Sequence, residues 1–421
     1  MAVSAEVGTF TASTGGATTT VSTGFQPTAL FLISHGKTDL TESAGSMLSV
    51  GFADGTRIVT YGFGGDDAAA TSNVGSYEHS STEAAAIFAN GTSLATGGRV
   101  TGVAFNATPN FVLTFNATPA AAWQFSYIIF GGADFTNTYV GTTNIPTTAS
   151  TLNVTNAGFQ GDTVFFIMPS YAGGSLSGIR GSFGFATTSP GSTKQWAISF
   201  GVNDGAITTN VKGKSLLTSS ACVRTRTHTT DSTDLIVADF TQFTANGFDL
   251  NFTAVSGTAW PLTYLVLKGG HWDGGVTAKP TTATTQSVTG LAYAPKALGL
   301  LMTTATAVDT YTANMAMTLG IGTSASSRAY AGAYHNDTTN TVAKSAGSST
   351  GILREINANA DADLASLGAN GSWNITWDDT GTAYQVAWWT VGDTLASGDT
   401  PPAAAFGDYA GQFRIIRPTS W

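Results

Sequence analysis

Phe111-Val112-Leu113-Thr114-Phe115 alternates apolar and polar residues, then Trp123 and Tyr127 lead into Ile128-Ile129-Phe130-Gly131-Gly132. Alternation puts every second side chain of a strand on one face, so this stretch reads as half-buried β-structure closed by aromatic residues. The phrase returns as Phe248-Asp249-Leu250-Asn251-Phe252, Trp260, Tyr264 and Leu265-Val266-Leu267-Lys268-Gly269-Gly270. It returns again as Trp373-Asn374-Ile375-Thr376-Trp377, Tyr384, Trp388 and Trp389-Thr390-Val391-Gly392-Asp393. Phe111 to Trp123 is 12 residues, as is Phe248 to Trp260, and Trp373 to Tyr384 is one fewer.

Two further phrases repeat in the same order. Gly24-Phe25-Gln26-Pro27 before Thr28-Ala29-Leu30-Phe31-Leu32-Ile33 matches Gly158-Phe159 before Val164-Phe165-Phe166-Ile167, and Ala292-Tyr293 before Leu298-Gly299-Leu300-Leu301. The aromatics Phe25, Phe159 and Tyr293 stand 134 residues apart at both steps. A strand ending in a turn, Leu48-Ser49-Val50-Gly51-Phe52-Ala53-Asp54-Gly55, is matched to Ile198–Gly205 and Met317–Ser324. Asp-Gly after alternating apolar residues marks a turn because glycine accepts positive φ. Repeats of this kind set the whole organisation. The chain is therefore expected to be all-β: three tandem β-sandwich, jelly-roll-like units over residues 1–138, 139–275 and 276–395, then a tail, 396–421. Each unit would open with a Thr-rich strand near Val7, Val140 or Val276 and close with an aromatic hairpin. The repeated core would hold Phe25, Phe159, Tyr293, Trp123, Trp260, Tyr384, Tyr127, Tyr264 and Trp388. The segments 56–100, 206–234 and 325–360 differ most and read as variable loops, where recognition usually lives. In the tail, Pro401-Pro402 marks a linker and Phe406, Tyr409, Phe413, Ile415, Ile416 and Trp421 suggest docking onto another subunit or domain.

Composition agrees with strands. Among 421 residues, 42% are hydrophobic but only 10% charged, against about a quarter in ordinary domains. Glycine and β-branched threonine weaken helices and suit strands and turns. The net charge of −9 and the absence of a Lys/Arg cluster argue against nucleic-acid binding. The single cysteine, Cys222, permits no internal disulfide and reads as a small strand residue. The start Met1–Glu6 lacks the basic and apolar regions of a signal peptide, and no apolar run is long enough to span a membrane. Folding in a cytoplasm is the expectation.

Chemistry is sparse. His35, His79, His228, His271 and His335 share no metal-ligand spacing and read as solvated loop residues. Asp66-Asp67 and Asp378-Asp379 are paired carboxylates of the sort glycoside hydrolysis or calcium would need, yet neither pair recurs in the other units, so turn solubility is the plainer reading. Asn357-x-Asn359-x-Asp361-x-Asp363 lacks the glycine and distal glutamate of a calcium loop. Gly62-Phe63-Gly64-Gly65 and Gly97-Gly98 precede no Lys-Ser/Thr, so no nucleotide site is expected. No catalytic residue, metal or cofactor is assigned. Trp123, Trp260, Trp388 and Trp389 suit a core better than sugar stacking, because aromatics recur at these places in all three copies.

The opening Val7-Gly8-Thr9-Phe10, with Gly24-Phe25-Gln26-Pro27-Thr28-Ala29-Leu30-Phe31, resembles β-rich virion structural proteins of tailed bacteriophages over about 30 residues. The closing Asn246-Gly247-Phe248-Asp249-Leu250-Asn251-Phe252 with Trp260 and Tyr264 resembles the H-type lectin domain, a trimeric sugar-binding β-sandwich. The first resemblance implies a non-enzymatic protein of the virion surface, tail-associated or decorating the capsid, made in the host cytoplasm and bound to other virion proteins. The second implies an adhesin role toward host glycans and a homo-oligomer, a trimer for preference. Neither carries over a binding residue.

Overall fold

The computed structural model describes residues 2–394, apart from 80, 172–173, 190–191, 207–210, 227–232, 339–341 and 357–359. The tail residues Phe406, Tyr409, Phe413, Ile415, Ile416 and Trp421 lie outside the described residues. Every described element is a strand, and the strands form three seven-stranded and three four-stranded antiparallel sheets. Each unit is a sandwich of one large and one small sheet.

The strand order is the same three times. In the first unit the large sheet runs Ser4–Thr11, Gln124–Gly131, Pro27–Ser34, Ser46–Ala53, Ile58–Gly65, Val74–His79. In the second it runs Asn137–Asn144, Pro261–Lys268, Thr163–Pro169, Ile179–Ser189, Ser192–Val202, Lys214–Thr218. In the third it runs His271–Ala278, Gln385–Thr394, Tyr293–Met302, Met315–Ser324, Ser327–His335, Ala343–Ser348. The seventh strand of each comes from another unit. Gly174–Ser177 of the second unit pairs with Val74–His79 of the first, and Thr312–Ala313 of the third pairs with Lys214–Thr218 of the second. Ser43–Ala44 of the first unit then pairs with Ala343–Ser348 of the third. Each unit thus lends an edge to the one before it, and the last joint closes a ring. An unpaired edge is a template for unwanted pairing. Here every large-sheet edge on this side is covered by a neighbour.

The large sheets are covered on both faces. Their outer faces pack against the small sheets in three separate aromatic-rich cores, and their inner faces meet in one core shared by all three units. At its centre Phe31 lies 5.9 Å from Phe165, and Phe165 lies 5.3 Å from Trp389 (ring centroids). The register shows how three unequal copies fill one space. Phe31 faces Ile128 across the ladder, Phe165 faces Leu265, and at the same place Gly299 faces Trp389. A Cβ at Gly299 would overlap the Trp389 indole. Large beside medium in two copies becomes none beside very large in the third, which conserves volume in a close-packed interior.

A second constraint recurs at Gly51, Gly184 and Gly320, each paired in register with Leu32, Phe166 or Leu300. A Cβ at any of them would overlap the carbonyl oxygen of Ala84, Cys222 or Ile352, where the small sheet crosses the large one. This register corrects the second repeated phrase. Ile198–Gly205 does not match Leu48–Gly55, because Ser192–Val202 lies one strand further out, in the place of Ile58–Gly65. Both segments end an apolar alternation in Asp-Gly, so the turn signal alone could not separate them.

Two other expectations change. The closing aromatics do not form a hairpin: Asn110–Phe115 lies in the small sheet and Gln124–Gly131 in the large one. The linking segment instead carries the chain across the sandwich, and the rings meet edge to face between sheets. Phe111 and Tyr127 are 5.1 Å apart, Phe248 and Tyr264 5.1 Å, and Trp373 and Trp388 5.8 Å. Nor are the described residues of 56–100, 206–234 and 325–360 mainly loops. They hold strands such as Ile58–Gly65, Lys214–Thr218 and Ser327–His335. Glycine, alanine and serine are frequent in the first and third of these segments and threonine in the second, which erases the apolar alternation that marks a strand.

The core exchange yields a test. Gly299→Phe alone is expected to clash, and Trp389→Leu alone to leave a void costing at least about 2 kcal/mol. The double variant, which copies the Phe165–Leu265 pair, is expected to recover most of both losses. Denaturant unfolding of the four proteins measures the coupling, and strictly additive losses would refute the shared-volume account.

Candidate functional site

The recurring side chains serve the frame. Trp123, Trp260 and Tyr384 each end a three-residue turn and accept, through their carbonyls, a bond from Ala12, Ile145 or Lys279 of the opening segment. Trp123, Tyr127, Tyr264, Tyr293 and Trp388 are buried, while Phe25, Phe159, Trp260 and Tyr384 are partly covered at the core rims. Cys222 is fully buried just ahead of the strand Val223–Arg226, its Sγ 3.4 Å from the Ala238 carbonyl, and burial pushes its thiol pKa well up. A reactive thiolate is disfavoured there.

One titratable group does recur, against the sequence expectation. Counting from the register of the large sheets, Asp67, Asp204 and Asp337 occupy one position, preceded by Asp66, Asn203 and Asn336. Each reaches a different unit. Asp204 Oδ1 accepts from the Val74 amide at 2.9 Å, and Asp67 Oδ1 from the Ala343 amide at 2.7 Å. The Asp337 carboxylate pairs with Lys214 at 2.7 Å and its carbonyl accepts from the Lys212 amide. These aspartates clasp the start of the neighbour's outer strand, satisfying backbone donors at the joints. Spacing hid the match because the second unit was aligned one strand off. Asp66 is engaged too, accepting from Asn73 and from the Gly91 amide.

Two histidines also change their reading. His35 and His335 are not solvated but buried at the closing joint between the first and third units. His35 Nε2 lies 2.7 Å from the Asp39 carbonyl, and the ring packs against Gly347. His335 Nδ1 lies 3.1 Å from the Asn336 carbonyl, and its ring approaches Gly65. Burial lowers both imidazole pKa values, only partly opposed by Asp39 at His35 and by Asp67 at His335. His271 is exposed and stacks on Tyr293. His228 and the side chain of His79 lie outside the described residues, as do Asn357 and Asn359.

The same joint carries a polar cleft of about 470 Å³. Arg328 holds Asp363 at 3.0 Å, and Arg354 bridges Asp361 at 3.2 Å and Glu42 at 3.7 Å. Lys344 reaches Glu42 at 2.7 Å. Thr41, Ser348 and Thr350 supply hydroxyls at the rim, and Asp378 lies beside the ion pairs. The carboxyl of Asp361 is raised chiefly by burial, with Arg354 pulling it down and Asp378, Asp363 and Glu42 pushing it up. Asp363 is raised by burial against the pull of Arg328. Asp378 and Asp379 follow the strand Ser372–Trp377 in the crossing segment, and Asp379 accepts from the Thr380 amide. Among the described residues no group of three or more His, Cys, Asp or Glu side chains is arranged to hold a metal ion. No described helix is long and apolar enough to cross a membrane.

The joint between the second and third units shows what makes this cleft. Arg224 occupies the place of Arg354 and is held in bidentate fashion by Asp234, at 2.9 Å for both contacts, and by Asp309. From the pairing of Thr312 with Ser215 and of Ser43 with Ser345, Tyr311 stands where Glu42 does and Asp309 where Leu40 does. The Tyr311 hydroxyl bonds Asp234 at 2.9 Å. A tyrosine ring thus fills at one joint the volume that a shorter glutamate leaves open at the other.

No known protein family matches the chain. No curated protein is similar to it in sequence.

The buried histidines predict acid sensitivity at the closing joint. Their folded pKa values lie below the ordinary 6.5, so the unfolded chain binds more protons and stability falls as pH drops through 6.5 toward the depressed values. Thermal unfolding of the wild type is expected to weaken between pH 7 and pH 5 more than that of a His35→Asn/His335→Asn double variant. Equal pH dependence would remove the histidines from the account.

Proposed function

We propose that this chain is a non-enzymatic structural protein of a bacteriophage particle surface, tail-associated for preference, with decoration of the capsid as the alternative position. The observation that carries the reading is the ring of exchanged edge strands. It joins three copies into one body, and the groups that recur in those copies, the aspartate clasps, the close-approach glycines and the cross-sheet aromatics, all maintain the frame. A triplicated catalyst would be expected to keep an exposed acid, base or nucleophile in its copies. A triplicated building block keeps its joints. The resemblance of the opening strand to virion proteins points the same way, and the low charge content suits a large surface that meets other proteins. A threefold body made from one chain offers virion partners three similar but distinct faces, with residues 396–421 as the proposed docking segment.

A second reading is supported by the polar cleft. A lectin-like adhesin needs a recognition site on a rigid frame, and the closing joint provides a concave, hydroxyl- and charge-lined surface.

Purified particles test the principal reading. The chain is expected in their proteome at a fixed copy number, hundreds per particle meaning decoration and a few to a few dozen meaning tail tip or fibre. Particles that lack it would overturn the assignment.

A further inference from the structure

We propose that the cleft at the closing joint is a saccharide-binding site, recognising vicinal hydroxyls of a neutral sugar. This deepens the glycan reading above and rests on it. Its volume of about 470 Å³ falls in the range of small-molecule sites and is large enough for a sugar residue. Its chemistry selects among ligands. The two guanidiniums each already face a carboxylate, and Lys344 faces Glu42, so formal charges within the cleft nearly cancel. An anionic ligand would have to break those pairs to reach a guanidinium. A sugar need not, because each hydroxyl both donates and accepts. Asp363 and Asp378 offer acceptors at the opening: Asp363 is 41% exposed even while paired. Asp378 is exposed and has no ion-pair partner among the described residues. Arg328 offers donors beside them, and the hydroxyl oxygens of Thr41, which itself donates to Asp39, and of Thr350, which shares a bond with Ser348, offer further acceptors. A carboxylate beside a guanidinium presents acceptors and donors at the spacing of neighbouring hydroxyls.

The arrangement belongs to one joint. Register places Gln195 where Arg328 stands and Val237 where Asp361 stands, while Tyr311 replaces Glu42. The site is therefore built from residues in which the units differ, held at the height of a strand exchange they share. A divalent cation is the competing occupant of a carboxylate-rich cleft. It would compete with Arg328 and Arg354 for the same oxygens, which disfavours it.

Saturation-transfer NMR and calorimetry of the full chain with galactose, mannose, glucose and N-acetylglucosamine at millimolar concentration test this, with EDTA present. At least one sugar is expected to bind. Thr350→Trp, which fills the exposed rim without touching an ion pair, is expected to weaken that binding tenfold or more, and Asp378→Asn several-fold. Thr148→Trp, on an exposed segment of the second unit, should leave it unchanged, and unfolding curves check that all variants remain folded. No binding by the wild type to any of these sugars overturns the proposal. Binding that survives Thr350→Trp moves the sugar elsewhere and overturns this cleft while sparing the glycan reading. Binding that appears only with added calcium in place of EDTA overturns it in favour of a metal-bridged site. None of these outcomes alters the particle assignment, which stands or falls on the proteome.

Discussion

Apolar contact between the inner faces of the three large sheets governs the rest of this structure. A β-sandwich unit needs only one buried face per sheet. Here the large sheets bury both, one against their own small sheet and one against each other. Burying an aromatic side chain contributes about 1.5–3 kcal/mol, and the inner core gathers many of them, including Phe31, Phe165, Phe183, Trp196, Trp272 and Trp389. No unit could expose such a face alone without presenting a large apolar patch to water. The strand exchange and the aspartate clasps are secondary to this contact: they set the angle and order in which three faces meet.

The double burial explains which parts of the fold were legible. Small-sheet strands have one wet face, so Phe111–Phe115 and Phe248–Phe252 alternate plainly. Central strands of the large sheets read as apolar runs, Ala29–Ile33 and Val164–Met168, because neither face meets water. Strands further out in the first and third units do not show themselves. Ile58–Gly65 is buried throughout, yet its threonine and three glycines conceal that. Such small residues record the near approach of another backbone, as at Gly62 beside Ala86, and no periodicity reports such an approach. The pairing of units was beyond reach for a different reason. Ser43–Ala44 and Thr312–Ala313 are two-residue strands whose partners lie in another repeat, so nothing local marks them.

The site shows the same division. Spacing found the aromatics that bind each sandwich together, but treated His35, His335 and Asp67 as solvent-facing. All three sit where units meet, and their surroundings exist only after the ring closes. Spacing places Asp361 and Asp363 in a pattern with Asn357 and Asn359 that falls short of a calcium loop. Their partners Arg354 and Arg328 lie nearby in the fold but arrive from other strands, while Glu42 comes from the opposite end of the repeat series. A reading by spacing counts the carboxylates and misses the cations that nearly neutralise them.

The closing joint has a consequence for how the chain is made. Ser43–Ala44 leaves the ribosome roughly 300 residues before its partner strand Ala343–Ser348, and Val3 meets Asp393 only when the third unit is nearly finished. Until then the first unit holds a donor segment with nothing to receive it. The latest unit meanwhile has an unpaired edge. Two chains emerging side by side on one message would present matching halves of the same joint, and cross-pairing between them would yield open concatenates. Placing all three units on one polypeptide makes the correct partner the nearest one at the moment the edge appears. Covalent linkage thus decides a competition in time that three separate chains would have to settle by concentration.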